Sequence, residues 1–408
     1  MSQFLESAKI ALAAIWAAKL RSFMTVLGNI VAVASIIAVV SLIQGLNASV
    51  KQAILDQAGS DSFSIQRYPI TRSDEEFERV RNNPSITLLE ARAIRRYSAL
   101  VSAIMAEASA QGRATYRDKS IDQTRIQGVT GDYAEFSSFD AERGMLMSAI
   151  EVDTARPVVV IGWQTADRLF GTSVDPLDKL IQLEGVHFRV VGVSSKRGAV
   201  LGQSQDEFAV IPLGQYQMMF GGRNQLSLTV KPREVSQINQ TMDDAMVALR
   251  TVRRLKPKQA DNFGMFTSDT ILDIYNSATS GIFAVLVGVV GLSLVVGGIV
   301  IMNIMLMVVT ERTREIGLRK ALGARRSDIM SQMLTESVVL SMCGGVIGTA
   351  IGGIVALTIA SFTPVPAEMK AWSVAAGIGI TALVGLFFGI YPAMQAAKLD
   401  PIEALRRE

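Results

Sequence analysis

Four stretches of the chain carry no Asp, Glu, Lys or Arg: Ser22 to Val50, Ile274 to Thr310, Ser337 to Ala367 and Ala371 to Ala397. Each is longer than the roughly 20 apolar residues that cross the hydrocarbon of a bilayer as a helix. One such stretch fits the buried helix of a soluble protein. Four in a chain of 408 residues do not. The pattern predicts transmembrane helices over 22–50, 274–310, 337–363 and 371–397.

Between the first and second of these lie 223 residues, Lys51 to Asp273, with 27 basic and 28 acidic side chains. Here the pattern changes. "SFSIQRY" and "TRIQGVT" alternate like strands, and "ARPVVVIG" reads as a buried strand followed by a helix in "WQTADRLFG". "KLIQLEGVHFRVVGV" reads as a hairpin turning at Glu184–Gly185. "DEFAVIPL", "QLSLTVKP" and "NFGMFTS" add strands. Val235, Ile238, Met242, Met246 and Leu249 fall on one face of a helix over 234–255. Ser268 or Asp269 is placed to cap the helix of the second span. The middle of this domain, about 139–222, reads as an insert, because the elements on either side are able to pair without it. The fold class is thus a membrane protein with four transmembrane α-helices and a large extracytoplasmic α/β domain.

Charge sets the orientation. Lys9, Lys19 and Arg21 precede the first span, six basic residues separate the second from the third, and Lys398, Arg406 and Arg407 follow the fourth. The link between the third and fourth holds only Glu368 and Lys370. By the bias of basic residues toward the cytoplasm, both termini and the segment 311–336 face inward, with 398–408 a cytoplasmic tail and 51–273 outside. The N-terminal 1–21 places Leu5, Ala8, Leu12, Ile15 and Trp16 near one helical face, which suits an interfacial helix.

The remaining composition mostly excludes. A net charge of +3 leaves no nucleic-acid footprint. The lone cysteine, Cys343, and the lone histidine, His187, allow no disulfide within the chain and no common zinc or Ser-His site. No span carries an interior ionisable group, which argues against a channel or a proton-coupled transporter. Glycine is abundant instead: Gly344, Gly348 and Gly352 recur every four residues, and Gly385 and Gly389 repeat the interval, a spacing that lets helix backbones approach closely. Asn303 is a candidate for a packing hydrogen bond between helices. No phosphate-binding G-x-x-x-x-G-K-[S/T] loop occurs, so no catalytic residue, cofactor or metal is assigned to this chain.

The segment "ERTREIGLRKALGARRSDIM", 311–330, holds six basic and three acidic residues. Glu311, Arg314, Glu315 and Arg319 recur at helical intervals, with Glu315 and Arg319 in the favourable acid-first order. The second membrane helix is therefore expected to continue inward as a stalk. Gly323 is a helix stop, and Ser327 or Asp328 a cap for the next helix. The outcome is two stalks joined by a basic elbow.

This segment closely resembles the signature of MacB/FtsX-like permeases of ABC transporters. "VVGGIVIMNIMLMVVT", "GIYPAMQAAKLDPIEALR" and "LDKLIQLEGVHFRVVGV" are similar to other parts of such proteins, so the resemblance covers essentially the whole chain. It implies four spans and an outer domain with a porter-like part and an inserted sub-domain. It also implies an inner-membrane location, pairing with a second permease chain as a homodimer, and docking of an ABC ATPase subunit that binds ATP and magnesium. A periplasmic adaptor and an outer-membrane channel are further implied partners. On this resemblance Arg319, Lys320, Gly323, Ala324, Arg325, Arg326 and Asp328 form the ATPase-coupling element, and export or extraction of substrate proceeds by mechanotransmission. The chain lacks the fused ATPase of a full MacB exporter, so the ATPase is expected on a separate polypeptide. Lipoprotein-releasing permeases of the LolC/LolE type share this topology. An FtsX-like activator of cell-wall hydrolases needs a far smaller outer segment, and a membrane-anchored enzyme would need a catalytic constellation.

Overall fold

The computed structural model describes residues 19–406 except 60, 72, 172–173, 201, 223–224 and 364–365. The first 18 residues of the expected interfacial helix lie outside the described residues. The chain divides into two compact units: a membrane bundle of Met1–Ser49 with Ser277–Glu408, and a head of Val50–Asn276.

The head is built on a ten-stranded sheet. Its strands are β1 Phe63–Gln66, β2 Val101–Tyr116, β3 Lys119–Val129, β4 Arg143–Gly144, β5 Val158–Ile161, β6 Leu180–Leu183, β7 Val186–Val193, β10 Phe208–Pro212, β11 Ser227–Pro232 and β12 Gly264–Thr267. The two-residue strands β8 Ala199–Val200 and β9 Gln203–Ser204 form a separate hairpin. The strand order is β12-β1-β11-β2-β3-β10-β5-β7-β4, and β6 pairs with both β2 and β7. That double pairing closes a circuit, β2-β3-β10-β5-β7-β6 and back to β2, which leaves those six strands without a free edge. The predicted hairpin is β6–β7, and Glu184 and Gly185 between them both have positive φ, 46° and 83°, as a primed turn requires.

The closed circuit changes the reading of 139–222 as an insert. Apart from the β8–β9 hairpin, its strands join the ten-stranded sheet. β10 runs parallel to β3, and β6 pairs with the far end of β2 at Ala114 and Thr115. The length of β2 makes this possible: Val101 to Glu107 pair with β11, leaving the rest of the strand for β3 and β6.

The main core contains Phe63, Ile65, Ile126, Ile161, Ile181, Phe188, Val190 and Ile211, all essentially inaccessible. Each such aliphatic or aromatic side chain contributes roughly 1.5–3 kcal/mol by leaving water. A second cluster holds Tyr133, Phe136, Met147, Val158 and Val210. Of the helices α2 Asp74–Val80, α3 Leu88–Tyr97, α4 Ala149–Asp153, α5 Trp163–Phe170, α6 Leu213–Phe220 and α7 Ile238–Val252, α3 and α7 pack together. Glu90 secures that pair. One carboxylate oxygen caps α3 at the Thr87 N–H, 2.8 Å, and the other pairs with Arg253, 3.0 Å, at a site where both side chains are under 10% exposed. His187 sits on the exposed face of β7, 3.0 Å from Gln182 across the hairpin.

Among the described residues, four helices are long and apolar enough to cross a membrane: Leu27–Ile54 within α1 (Lys19–Ala58), α8 Ser268–Glu311, α10 Arg326–Phe362 and α11 Ala371–Lys398. α9 Thr313–Ala321 and α12 Pro401–Arg406 are short. The cap of α8 is Thr267, whose hydroxyl accepts from the Thr270 N–H at 3.2 Å, rather than Ser268 or Asp269. Ser268 is already helical, and its hydroxyl is committed to the Gly59 carbonyl.

The bundle packs through small residues. A Cβ on Gly348 would lie 2.8 Å from the Ile30 carbonyl, and one on Gly352 2.6 Å from that of Ala34, so α10 lies against the backbone of α1. On the other side of α10, Gly385 of α11 approaches the Ser337 carbonyl and Gly389 the Ser337 side chain. Gly344 is buried as well. Among the described residues of the spans the buried amide is Asn29, which donates to the Ser341 carbonyl at 3.0 Å. Asn303 instead lies on an exposed face of α8. The thiol of Cys343 is free and its residue half-buried.

Candidate functional site

The segment 311–330 is a set of braces with one outward face. α8 ends at Glu311 and does not run on as a continuous stalk. Arg312 has left helical geometry, with φ −95° and ψ 15°, and α9 begins at Thr313. The Thr313 hydroxyl donates to the carbonyls of Val309 and Thr310, at 2.9 and 2.8 Å, which satisfies acceptors that the interrupted helix leaves open. Ile316 of α9 is buried with Met305, Val309, Ile329, Met333 and Ala393, so the break sits on a packed apolar core.

α9 ends in a Schellman motif. The Ala324 N–H reaches the Arg319 carbonyl at 3.1 Å and the Gly323 N–H that of Lys320 at 3.1 Å, with Gly323 at φ +97°. This conformation favours glycine. Two residues later α10 starts with Arg325 as its cap residue. Asp328 is not the cap itself. It lies one turn in, and its carboxylate accepts from the Arg325 N–H at 3.0 Å, which closes the turn from inside the helix.

The seven residues that the family resemblance groups as a coupling element thus separate. Arg319 donates to Gln332 of α10 at 2.8 Å and makes no ion pair with Glu315 among the described residues. Its guanidinium reaches across to α10 instead of along its own helix. Lys320 donates to the Ala397 and Leu399 carbonyls at the end of α11, at 2.9 and 2.5 Å, a cation on the negative end of a helix dipole. Asp328 holds the turn. Ala324 packs against the apolar core. Arg325 and Arg326 point to the surface, and neither enters an ion pair among the described residues. Of the stalk residues, Arg314 and Glu315 are exposed on α9, as is Glu311 at the end of α8.

Two further parts complete the site. Leu322 is 81% exposed at the tip of the elbow, and Leu318 is exposed one turn earlier. An apolar residue next to a glycine stop is a signal for such a tip. The other part is α12, which places Ala404 directly over Gly317 of α9 and exposes Ile402. Pro401, at the first position of α12, marks its start. The outward face therefore combines two guanidinium groups that enter no ion pair among the described residues with exposed leucines on a multiply braced turn. That combination suits docking of a protein surface with apolar pockets and acidic groups.

The MacB-like periplasmic core domain family matches residues 22–246, and the FtsX-like permease C-terminal family matches residues 280–401. The macrolide export ATP-binding/permease protein MacB of Bdellovibrio bacteriovorus is 34% identical over 395 residues, covering 96% of this chain and 60% of that protein. The chain therefore spans about three-fifths of the length of the MacB relatives it matches, 60% of this one. The uncharacterized ABC transporter permease YknZ of Bacillus subtilis is 30% identical over 406 residues, covering 99% of each chain. Among solved structures, the periplasmic region of MacB from Actinobacillus actinomycetemcomitans aligns with 54% of this chain and 95% of that one, at 18% identity and a TM-score of 0.45. With its four spans and both matched regions, the chain belongs to the MacB/FtsX-like family of ABC transporter permeases and is a multi-pass membrane protein.

Proposed function

We propose that this chain is the permease component of a MacB-type ABC transporter whose ATP hydrolysis, with its ATP and magnesium, takes place on a separate ATPase subunit. The ATPase docks on the elbow at Leu322, Arg325 and Arg326, on the cytoplasmic side of an inner membrane, with both termini on that side. Its closure moves the elbow, and α8 and α1 carry the movement to the head, which lies outside. Export or extraction of substrate follows from that movement, without passage through the bundle. Two permease chains operate together, and a periplasmic adaptor with an outer-membrane channel completes the path.

The observation that carries this reading is the elbow itself. Its charged residues divide into internal braces, Arg319, Lys320 and Asp328, and outward arginines with an 81% exposed leucine, as a docking turn requires. A relative aligned over 99% of each chain is named as an ABC transporter permease, which supports the permease role. Replacing Arg325 and Arg326 with Glu is expected to lower recovery of the ATPase with the chain by about tenfold or more, equivalent to ~1.4 kcal/mol, with membrane insertion unchanged. Undiminished recovery contradicts the docking assignment. The purified chain alone is expected to show no ATP turnover.

A further inference from the structure

The break between α8 and α9 has neither Pro nor Gly behind it. Helix kinks arise at Pro, at Gly, or where a side chain enters the hydrogen-bond ladder. The run from Val308 to Ile316 contains neither Pro nor Gly. What holds the break is the Thr313 hydroxyl on the Val309 and Thr310 carbonyls, and an ion pair from Arg312 to Glu336 of α10 at 3.3 Å. The Glu336 side chain is 10% exposed and lies immediately before an uncharged stretch, while Arg312 is the first basic residue after another. A buried carboxylate at such a boundary depends on its partner.

We infer that Arg312 and Glu336 are positioning residues that latch the α8–α9 hinge to α10. With the latch closed, α8, α9 and α10 move as one body, and displacement of the elbow is delivered to α8. With it open, the same displacement is spent in bending at Arg312. The delivery step rests on the reading of the elbow as the docking element, whereas the latch itself does not.

The test uses the full chain in lipid nanodiscs, first without any ATPase. In Arg312→Ala and in Glu336→Gln, amide exchange over 312–316 is expected to rise by about tenfold or more, because the junction opens locally. Arg312→Lys, which keeps the charge, is expected to stay close to the unmodified chain, and the exchanged pair Arg312→Glu with Glu336→Arg to recover much of the protection. Unchanged exchange in both single variants, or Arg312→Lys as fast as Arg312→Ala, overturns the latch. In complex with the ATPase, Arg312→Ala is expected to retain the subunit and its ATP turnover while losing the ATP-driven change in α8 exchange. Survival of that change at full size overturns the delivery step. If the unmodified chain itself recovers no ATPase, the docking reading fails, and the exchange comparison without ATPase still decides the latch.

Discussion

The head and the bundle solve the packing problem in opposite ways. In the head, large side chains such as Ile126, Phe188 and Ile161 are fully buried inside strands that close on themselves. In the bundle, Gly348 and Gly352 bring helix backbones into contact, and Gly385 and Gly389 admit Ser337. The difference follows from the solvent. Water rewards the removal of large apolar surface, but lipid tails are as apolar as leucine, so helices in a membrane gain from close approach and interhelical hydrogen bonds. Charge is handled differently too. Arg253 and Glu90 are both under 10% exposed in the head and are tied into further hydrogen bonds, whereas Arg312 keeps 34% exposure beside Glu336 at the edge of the bundle. The first pair is structural glue, and the second sits at a hinge.

This contrast makes opposite substitutions harmful in the two regions. Ile126→Ala leaves a cavity in the head and is expected to cost roughly 2–5 kcal/mol, read as lost exchange protection in β3 of the full chain. A cost below about 0.5 kcal/mol would mean that the closed circuit relaxes around the gap. In the bundle, enlargement is the damaging change. Gly352→Leu would drive a side chain into the Ala34 backbone, at a cost of about 1–3 kcal/mol, seen as lower recovery of folded protein in mild detergent. Normal recovery would mean that α1 and α10 separate easily. Gly288 is the internal control, because nothing lies within 4 Å of a Cβ added there. Gly288→Ala is expected to leave stability unchanged or slightly higher, as alanine is the better helix former.

The smallest effect concerns pH. Burial pushes the Glu107 carboxyl above the ordinary carboxylate range, while the Ser227 hydroxyl at 3.2 Å and the charge of Arg125 pull it partly back. A carboxyl raised on folding binds protons more readily in the folded head, so this group costs stability at neutral pH and the cost fades as pH falls through the folded value. Glu107→Gln is expected to flatten that part of the head's stability profile. An unchanged slope would show that Glu107 does not titrate there.

The four spans were legible because charge is absent from long windows, a signal that depends on no neighbour. The β6–β7 hairpin was equally legible, since Glu184–Gly185 carries its own turn. The closure of the sheet was not, because the pairing of β6 with β2 joins residues at least 67 positions apart, Thr115 with Gln182 at the nearest. A polar residue within the second span pointed to Asn303, whereas the buried amide among the described residues of the spans is Asn29; a helical position alone does not tell which face meets a partner. In the elbow, Gly323 announced the stop. The roles of Arg319, Lys320 and Asp328 depend on Gln332, on the end of α11 and on the Arg325 N–H, and the first two partners lie on other helices. Composition shows charge but not which charges are spent internally.

The most direct test of the account is photo-crosslinking from position 322 in native membranes, with a photoreactive residue in place of Leu322 and the same residue at the exposed bundle position Ile282 as the control. The account predicts capture of an ABC ATPase domain from position 322 and none from position 282. Equal capture from both positions, or none from position 322 while the ATPase is present in the same membranes, would contradict it.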